Sequence, residues 1–241
     1  MVVNLKPIGQ NGPSSPMLLT RQLLDALPTL PGQWTVESQG TIAGMLSAAV
    51  TVGVPTEQVQ SAAAQIAARH PGAASTALSA RIAEALARRG DTTAARAILP
   101  DAPGADLSDD PDLCWLHSAR ARALHALGDD AGRDAAFAAA RTSDQVAPER
   151  LAEDLLAVGD FMGALDVVRS THRISTDAQI PLYRDIIEQA YRAERLDLGL
   201  EVLHLSNDMR LQHQLLRELL AAPLAQRDGP AVLAMVRAAP V

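Results

Sequence analysis

Ile82-Ala-Glu-Ala-Leu-Ala-Arg-Arg-Gly-Asp91 returns twice further along the chain, as Arg120-Ala-Arg-Ala-Leu-His-Ala-Leu-Gly-Asp129 and as Leu151-Ala-Glu-Asp-Leu-Leu-Ala-Val-Gly-Asp160. Each stretch is an apolar-periodic helix that stops at Gly-Asp. Glycine just past a last helical turn takes the left-handed conformation that ends the helix, and aspartate then caps the next one, so the pair predicts a hinge between two helices. Across the hinge, small residue to small residue, the spacing is 12 in Ala83 to Ala95 and in Ala152 to Ala164. It persists in Ile187 to Gly199 and Leu219 to Ala231, where the hinge has drifted to Glu194-Arg195 and Gln226-Arg227. Successive units start at Ala83, Ala121, Ala152, Ile187 and Leu219, in steps of 38, 31, 35 and 32 residues with a mean of 34.

Two helices per unit at this period resemble tetratricopeptide repeats. The first helix of such a repeat carries a small residue, and the second carries Ala followed four residues later by a bulky one. Ala95 is followed by Leu99, Ala164 by Val168, Gly199 by Leu203 and Ala231 by Met235, and the second unit keeps Phe137 and Ala140. Proline falls just before the next first helix at Pro111, Pro148 and Pro181, where its fixed φ suits an opening turn. Arg133 stands where the family has Ala, and Pro223 interrupts the last unit. The resemblance implies an all-α fold, antiparallel helix pairs stacked as a right-handed α-solenoid over residues 77–241. Residues 1–16 are expected to be a flexible tail and residues 17–76 an N-terminal helical region, in which Thr41 to Arg69 reads either as one further degenerate helix pair or as a helix-turn-helix. Within that region Met17 to Leu27, Thr41 to Val52 and Thr56 to Arg69 read as helices. The segment from Asp101 to Asp110, rich in Asp, Pro and Gly, reads as an extended surface loop.

Composition narrows the function. At 48% hydrophobic over 241 residues the chain can bury a core, and with only 2% aromatics that core rests on closely approaching helices. A formal charge of −7 repels phosphate backbones and anionic membranes, so nucleic acid and membrane are disfavoured as partners. Lys6 is the single lysine against 20 arginines, a bias from which a GC-rich, bacterial genome is expected. Cys114 stands alone, which excludes an internal disulfide and a cysteine-rich metal framework. The apolar stretch Ile42 to Val54 falls short of the ~20 residues that span a bilayer. The first 16 residues lack a secretory pattern, so a cytoplasmic location is expected.

Six histidines, at 70, 117, 125, 172, 204 and 213, form neither a zinc motif nor a Cys/His cluster, and no glycine-rich phosphate loop occurs. No metal, no cofactor and no catalysis are expected. The function that the resemblance implies is a scaffold binding a protein or peptide in the concave surface lined by first-helix side chains. Arg81, Glu84 and Arg88 would come from the first unit, Trp115, Arg122 and His125 from the second. Glu149 and Glu153 would come from the third, and Arg184, Glu188, Tyr191 and Arg192 from the fourth. Trp115 or Tyr191 would be the aromatic anchor, because a few aromatics and arginines dominate interface energies. Family members that clamp a C-terminal carboxylate use Asn and Lys on the first helix. Here Asn occurs only at 4, 11 and 207, so that mode is not expected. Apolar Leu219, Leu220, Leu224 and Leu233 suggest a homodimer through the C-terminal helices.

The alternative is a transcription regulator. Ala49-Val-Thr-Val-Gly-Val-Pro-Thr-Glu-Gln-Val59 resembles a DNA-binding helix-turn-helix near residues 41–69, with Ala49 between the helices, Gly53 in the turn and Val59 anchoring the second helix. Gln58, Gln60, Gln65 and Arg69 would face bases. Residues 1–70 carry three cations, Lys6, Arg21 and Arg69, against Asp25, Glu37 and Glu57, which leaves no net attraction to phosphate.

Overall fold

Leu86, Leu124 and Leu155 each offer a backbone carbonyl to the amide of the residue five positions on, Asp91, Asp129 and Asp160, at 2.9 Å in all three cases. The intervening Gly90, Gly128 and Gly159 have φ of 93°, 76° and 79° and close the inner bond of the same helix-ending motif. Each aspartate then turns its carboxylate onto the following helix. Asp91 accepts from the amide of Ala94 at 3.1 Å, Asp129 from Gly132 at 2.9 Å and Asp160 from Gly163 at 2.8 Å. The three Gly-Asp pairs are thus hinges, as their sequence predicts, and one local geometry recurs at each.

The computed structural model describes residues 35–104, 107–143, 148–170, 176–193, 195, 197, 200–202, 212–213, 216–217, 220–221, 223–224 and 227–238. The expected tail over residues 1–16 and the helix Met17 to Leu27 lie outside them. Regular structure is helical, with no strand among the described residues. The helices are α1 (Val36–Thr51), α2 (Thr56–Arg69), α3 (Ala73–Arg88), α4 (Thr92–Ile98), α5 (Leu113–Ala126), α6 (Asp130–Thr142), α7 (Pro148–Ala157), α8 (Phe161–Ser170), α9 (Thr176–Arg192) and α10 (Gly229–Ala238). None among the described residues is long and apolar enough to cross a membrane.

The chain divides into two compact units, Met1–Ala139 and Ala140–Val241. In the first, α3 is the central element and packs against α1, α2, α4 and α5. Its core runs continuously from Ala43 through Leu78 and Leu86 to Leu116 and Ala119. That core crosses residue 77, so the helices on either side of the expected boundary are one folded body. In the second unit α7, α8 and α9 pack on one another, burying Leu151 and Leu155, Leu165 and Val168, and Ile186, Ile187 and Ala190 at helical spacing. The repeated small positions are core positions: Ala83, Ala95, Ala121, Ala152 and Ala164 are fully buried. Gly199 and Leu219, which carry the spacing onward, lie outside the described residues.

Four local features depart from the sequence reading. Helix α1 begins at Val36, because Thr35 caps it: its Oγ1 accepts from the Ser38 amide at 3.3 Å while Ser38 Oγ accepts from the Thr35 amide at 2.9 Å. The end of the 101–110 segment is a structural tie as well as a loop. Asp110 Oδ2 accepts from the amide of Ala73 at 2.8 Å and so caps α3, whose own N-cap residue, Gly72, has no side chain to do it. A Cβ at Gly72 would sit 2.7 Å from that carboxylate oxygen, and its φ is 138°, so glycine is required there on two counts. Pro181 lies inside α9 instead of ahead of it, and the helix passes through it without the hydrogen bond a proline nitrogen cannot make.

The hinge expected at Gln226-Arg227 is one residue further on. Arg227 has φ 57°, its amide bonds Leu224, and the Asp228 amide bonds the Pro223 carbonyl at 2.8 Å. Arg227-Asp228 therefore stands where Gly-Asp stands elsewhere. A side chain in the left-handed region costs about 1 kcal/mol, so Arg227→Gly is expected to stabilise the second unit by about that much. Gly159→Ala should cost a similar amount, since a Cβ there meets nothing within 4 Å and the penalty is purely backbone. Thermal unfolding of the two variants beside wild type reads both signs.

Candidate functional site

Glu84 lies on the buried side of α3, 3% exposed, and a carboxylate so placed has to be satisfied by charge partners. Helical spacing supplies two from α3 itself. Arg81, three residues before, brings Nη1 to 2.9 Å of Oε2, and Arg88, four residues after, brings Nη2 to 2.8 Å of Oε1. The third comes from α5: Arg122 donates from Nη2 to Oε1 at 2.7 Å and from Nε to both oxygens at 3.1 Å. This is the forked pairing that a planar guanidinium makes best. Glu84 and Arg122 each follow a buried small residue, Ala83 and Ala121, so the contact joins matching positions of two helices within the first unit.

A fourth arginine completes the group. Arg89, the C-cap of α3, donates from Nη1 to the carbonyl of Val50 in the last turn of α1 at 3.0 Å. Its other arm is 3.7 Å from Asp91, beyond hydrogen-bond length. Together with Ser47 and Thr51 of α1 and Ala85 of α3, the four arginines and Glu84 line an open cleft of about 370 Å³. The cleft wall thus carries four positive charges against one negative, in a chain whose formal charge is −7. Guanidinium groups stay protonated at any ordinary pH, so this arrangement attracts and orients an anion; it does not move protons.

Arg81, Glu84, Arg88 and Arg122 are therefore brought together, as residues of one wall. Two further expectations for this unit need correction. Trp115 is 5% exposed and packs in the core of the first unit, so it is not an anchor at the surface. It sits in the first turn of α5, where the row Cys114-Trp-Leu116 is buried whole. His125 is half-buried near the end of α5 with Nδ1 3.3 Å from Arg133 Nη1, and it does not line the cleft. The remaining candidates belong to the second unit. Glu153, Arg184, Glu188 and Arg192 are exposed, and Glu188 is paired with Arg192 one turn on. Tyr191 is half-buried and hydrogen-bonded to Asp228. Leu224 and Leu233, offered for dimer contacts, are exposed.

Sequence reasoning missed Arg89, Ser47 and Thr51. Arg89 belongs to the hinge, not to the helix face, and only its reach across to α1 makes it a wall residue. Cys114 is buried, and no group of His, Cys, Asp and Glu suited to a metal occurs among the described residues.

His117, on α5, holds a buried Nδ1 with no hydrogen-bond partner among the described residues. Burial first, and then the Arg120 charge, lowers its pKa below the ordinary 6.5. The unfolded chain then binds a proton near pH 6.5 that the folded chain resists, so stability is full above that pH and declines as pH falls towards the lowered value. His117→Gln should remove this step, visible as a difference between the urea midpoints of the two proteins across that window.

No protein-family model, no curated protein and no solved structure matches this chain.

Proposed function

We propose that this chain is a tetratricopeptide-like helical-repeat module that binds a partner protein, and that its first unit takes an acidic segment of that partner in the arginine-lined cleft. The observation that carries the reading is the surplus of guanidinium charge around one buried carboxylate, on helices that recur with the same hinge. Glu84 engages Arg81 and Arg122 and keeps their planes fixed. Arg88, with a side chain 54% exposed, faces the open side. Fixed arginine forks match carboxylate oxygens in pairs and lose little freedom on binding. The packing of α3 against both α1 and α5, each the first helix of its pair, supports the repeat arrangement.

The test is titration of the full chain with Asp/Glu-rich peptides and with the same peptides carrying Asn/Gln. The acidic set should bind, more weakly as salt rises, and Arg88→Glu should abolish binding while leaving helicity unchanged. Equal binding of acidic and amide peptides would overturn the reading.

One observation favours a second reading, a helix-turn-helix at α1–α2. Gly53 has φ 86° and Ala49, Val54 and Val59 are fully buried, which is the packing such a motif needs. Against it, α2 carries Glu57 in its first turn and Arg69 only in its last. Salt-sensitive binding of duplex DNA that is lost in Arg69→Glu would favour it over the peptide module.

A further inference from the structure

The arginine cleft has more positive charge than a carboxylate removes. Four guanidiniums face one glutamate, with Asp91 3.7 Å from Arg89 beside them, so a carboxylate guest still leaves one charge unneutralised. A phosphate monoester carries ≈ −1.5 to −2 at neutral pH and presents three strong acceptor oxygens. We infer that the cleft recognises a phosphorylated side chain of the partner protein, seated against Arg88 and Arg89 at the open side, with Arg81 and Arg122 behind them. This rests on the peptide-binding reading above and names the chemistry of the peptide.

Geometry supports the assignment beyond charge. Arg88 and Arg89 are consecutive, and each is hydrogen-bonded through one arm, to Glu84 at 2.8 Å and to the Val50 carbonyl at 3.0 Å, while the second arm of Arg89 lies 3.7 Å from Asp91. A guanidinium has several N–H donors on a rigid plane, so one tethered arm orients those that remain. Glu84 is here a positioning residue, buried beneath the arginines that would meet the phosphate. Both arginines lie at the C-terminal end of α3, where the helix dipole disfavours an anion. Its terminal carbonyls are already closed by the Gly90 and Asp91 amides, and whole guanidinium charges outweigh a half charge of opposite sense. A cleft of about 370 Å³ accepts a phosphorylated side chain together with part of its backbone.

The experiment is fluorescence anisotropy of the full chain with three oriented peptide libraries that differ only at a fixed central position: phosphoserine, glutamate or serine. The phosphoserine library is expected to bind at least about tenfold more tightly than the glutamate one, which corresponds to about 1.4 kcal/mol. Inorganic phosphate should displace it only weakly. Arg88→Gln combined with Arg89→Gln should bring all three libraries to the level of serine. Arg96→Gln, exposed on α4 and away from the cleft, controls for charge alone and should change nothing. Glutamate binding as tightly as phosphoserine overturns the phosphate inference and leaves the acidic-peptide module standing. If inorganic phosphate competes as well as the phosphopeptides do, a protein-borne phosphate is overturned in favour of a free one. If no library exceeds serine, both readings fail together.

Discussion

Replacing Glu84 by Gln is expected to destabilise the first unit by about 3 kcal/mol, because removing one member of a buried charged group strands the others. Three arginines converge on this carboxylate, and they do not count equally. Arg88 is half in solvent, and its pair contributes little. Arg81 and Arg122 have side chains only 19% and 13% exposed, and it is their charges that Gln would leave uncompensated between α3 and α5. Urea unfolding reads the loss as a lower midpoint at unchanged slope. Salt should narrow the gap between wild type and variant, since added ions screen the like charges that remain. A loss under about 1 kcal/mol would mean that the arginines are hydrated in place, as at an ordinary surface pair. An anion that binds the cleft should protect wild type against urea by mass action, which links this stability measurement to the proposed function.

Leu116→Ala should cost about as much or more, in the ~2.7–5 kcal/mol range for a leucine deleted from a closed core. Leu116 has no accessible surface and sits on α5 within the cluster built around α3. The helices meeting there are already tied by Glu84–Arg122 and by the Asp110 cap, so the site has little freedom to collapse onto the cavity. The matched comparison is Leu224→Ala at a residue 57% exposed, where the change should be within about 0.5 kcal/mol. Because the chain has two units, the transition of the first is best followed through Trp115 fluorescence in a Trp34→Phe background. A small effect at Leu116 would show a loosely packed core and would weaken the case that the arginines above it are fixed.

The sequence alone determined the helices and their punctuation. Gly90-Asp91, Gly128-Asp129 and Gly159-Asp160 are readable because a helix-ending motif is closed by residues within six positions of one another, so its signal lies in one short window. The burial of Ala83, Ala121 and Ala152 is legible in the same way, since each small residue stands at the same distance before its Gly-Asp on the apolar face of its helix. At the last hinge, which lacks glycine, the turn falls one residue beyond the place the sequence indicates: Arg227 holds the left-handed position against its own side-chain preference, and nothing in its residue type announces it.

Only the tertiary structure decided which polar residues meet. Glu84 and Arg122 are 38 residues apart in sequence, and they meet only once α3 and α5 lie side by side. Trp115 was expected at a surface that first-helix side chains share, yet its turn of α5 faces the core, because helix rotation is set by packing against the neighbours and not by the helix alone. Asp110 caps α3 from 37 residues away, and Arg89 reaches the end of α1 from a hinge. Local backbone chemistry is written in adjacent residues and can be read there. A cleft made by three separate helices is written in their relative placement, which the chain acquires only when its apolar faces are buried together.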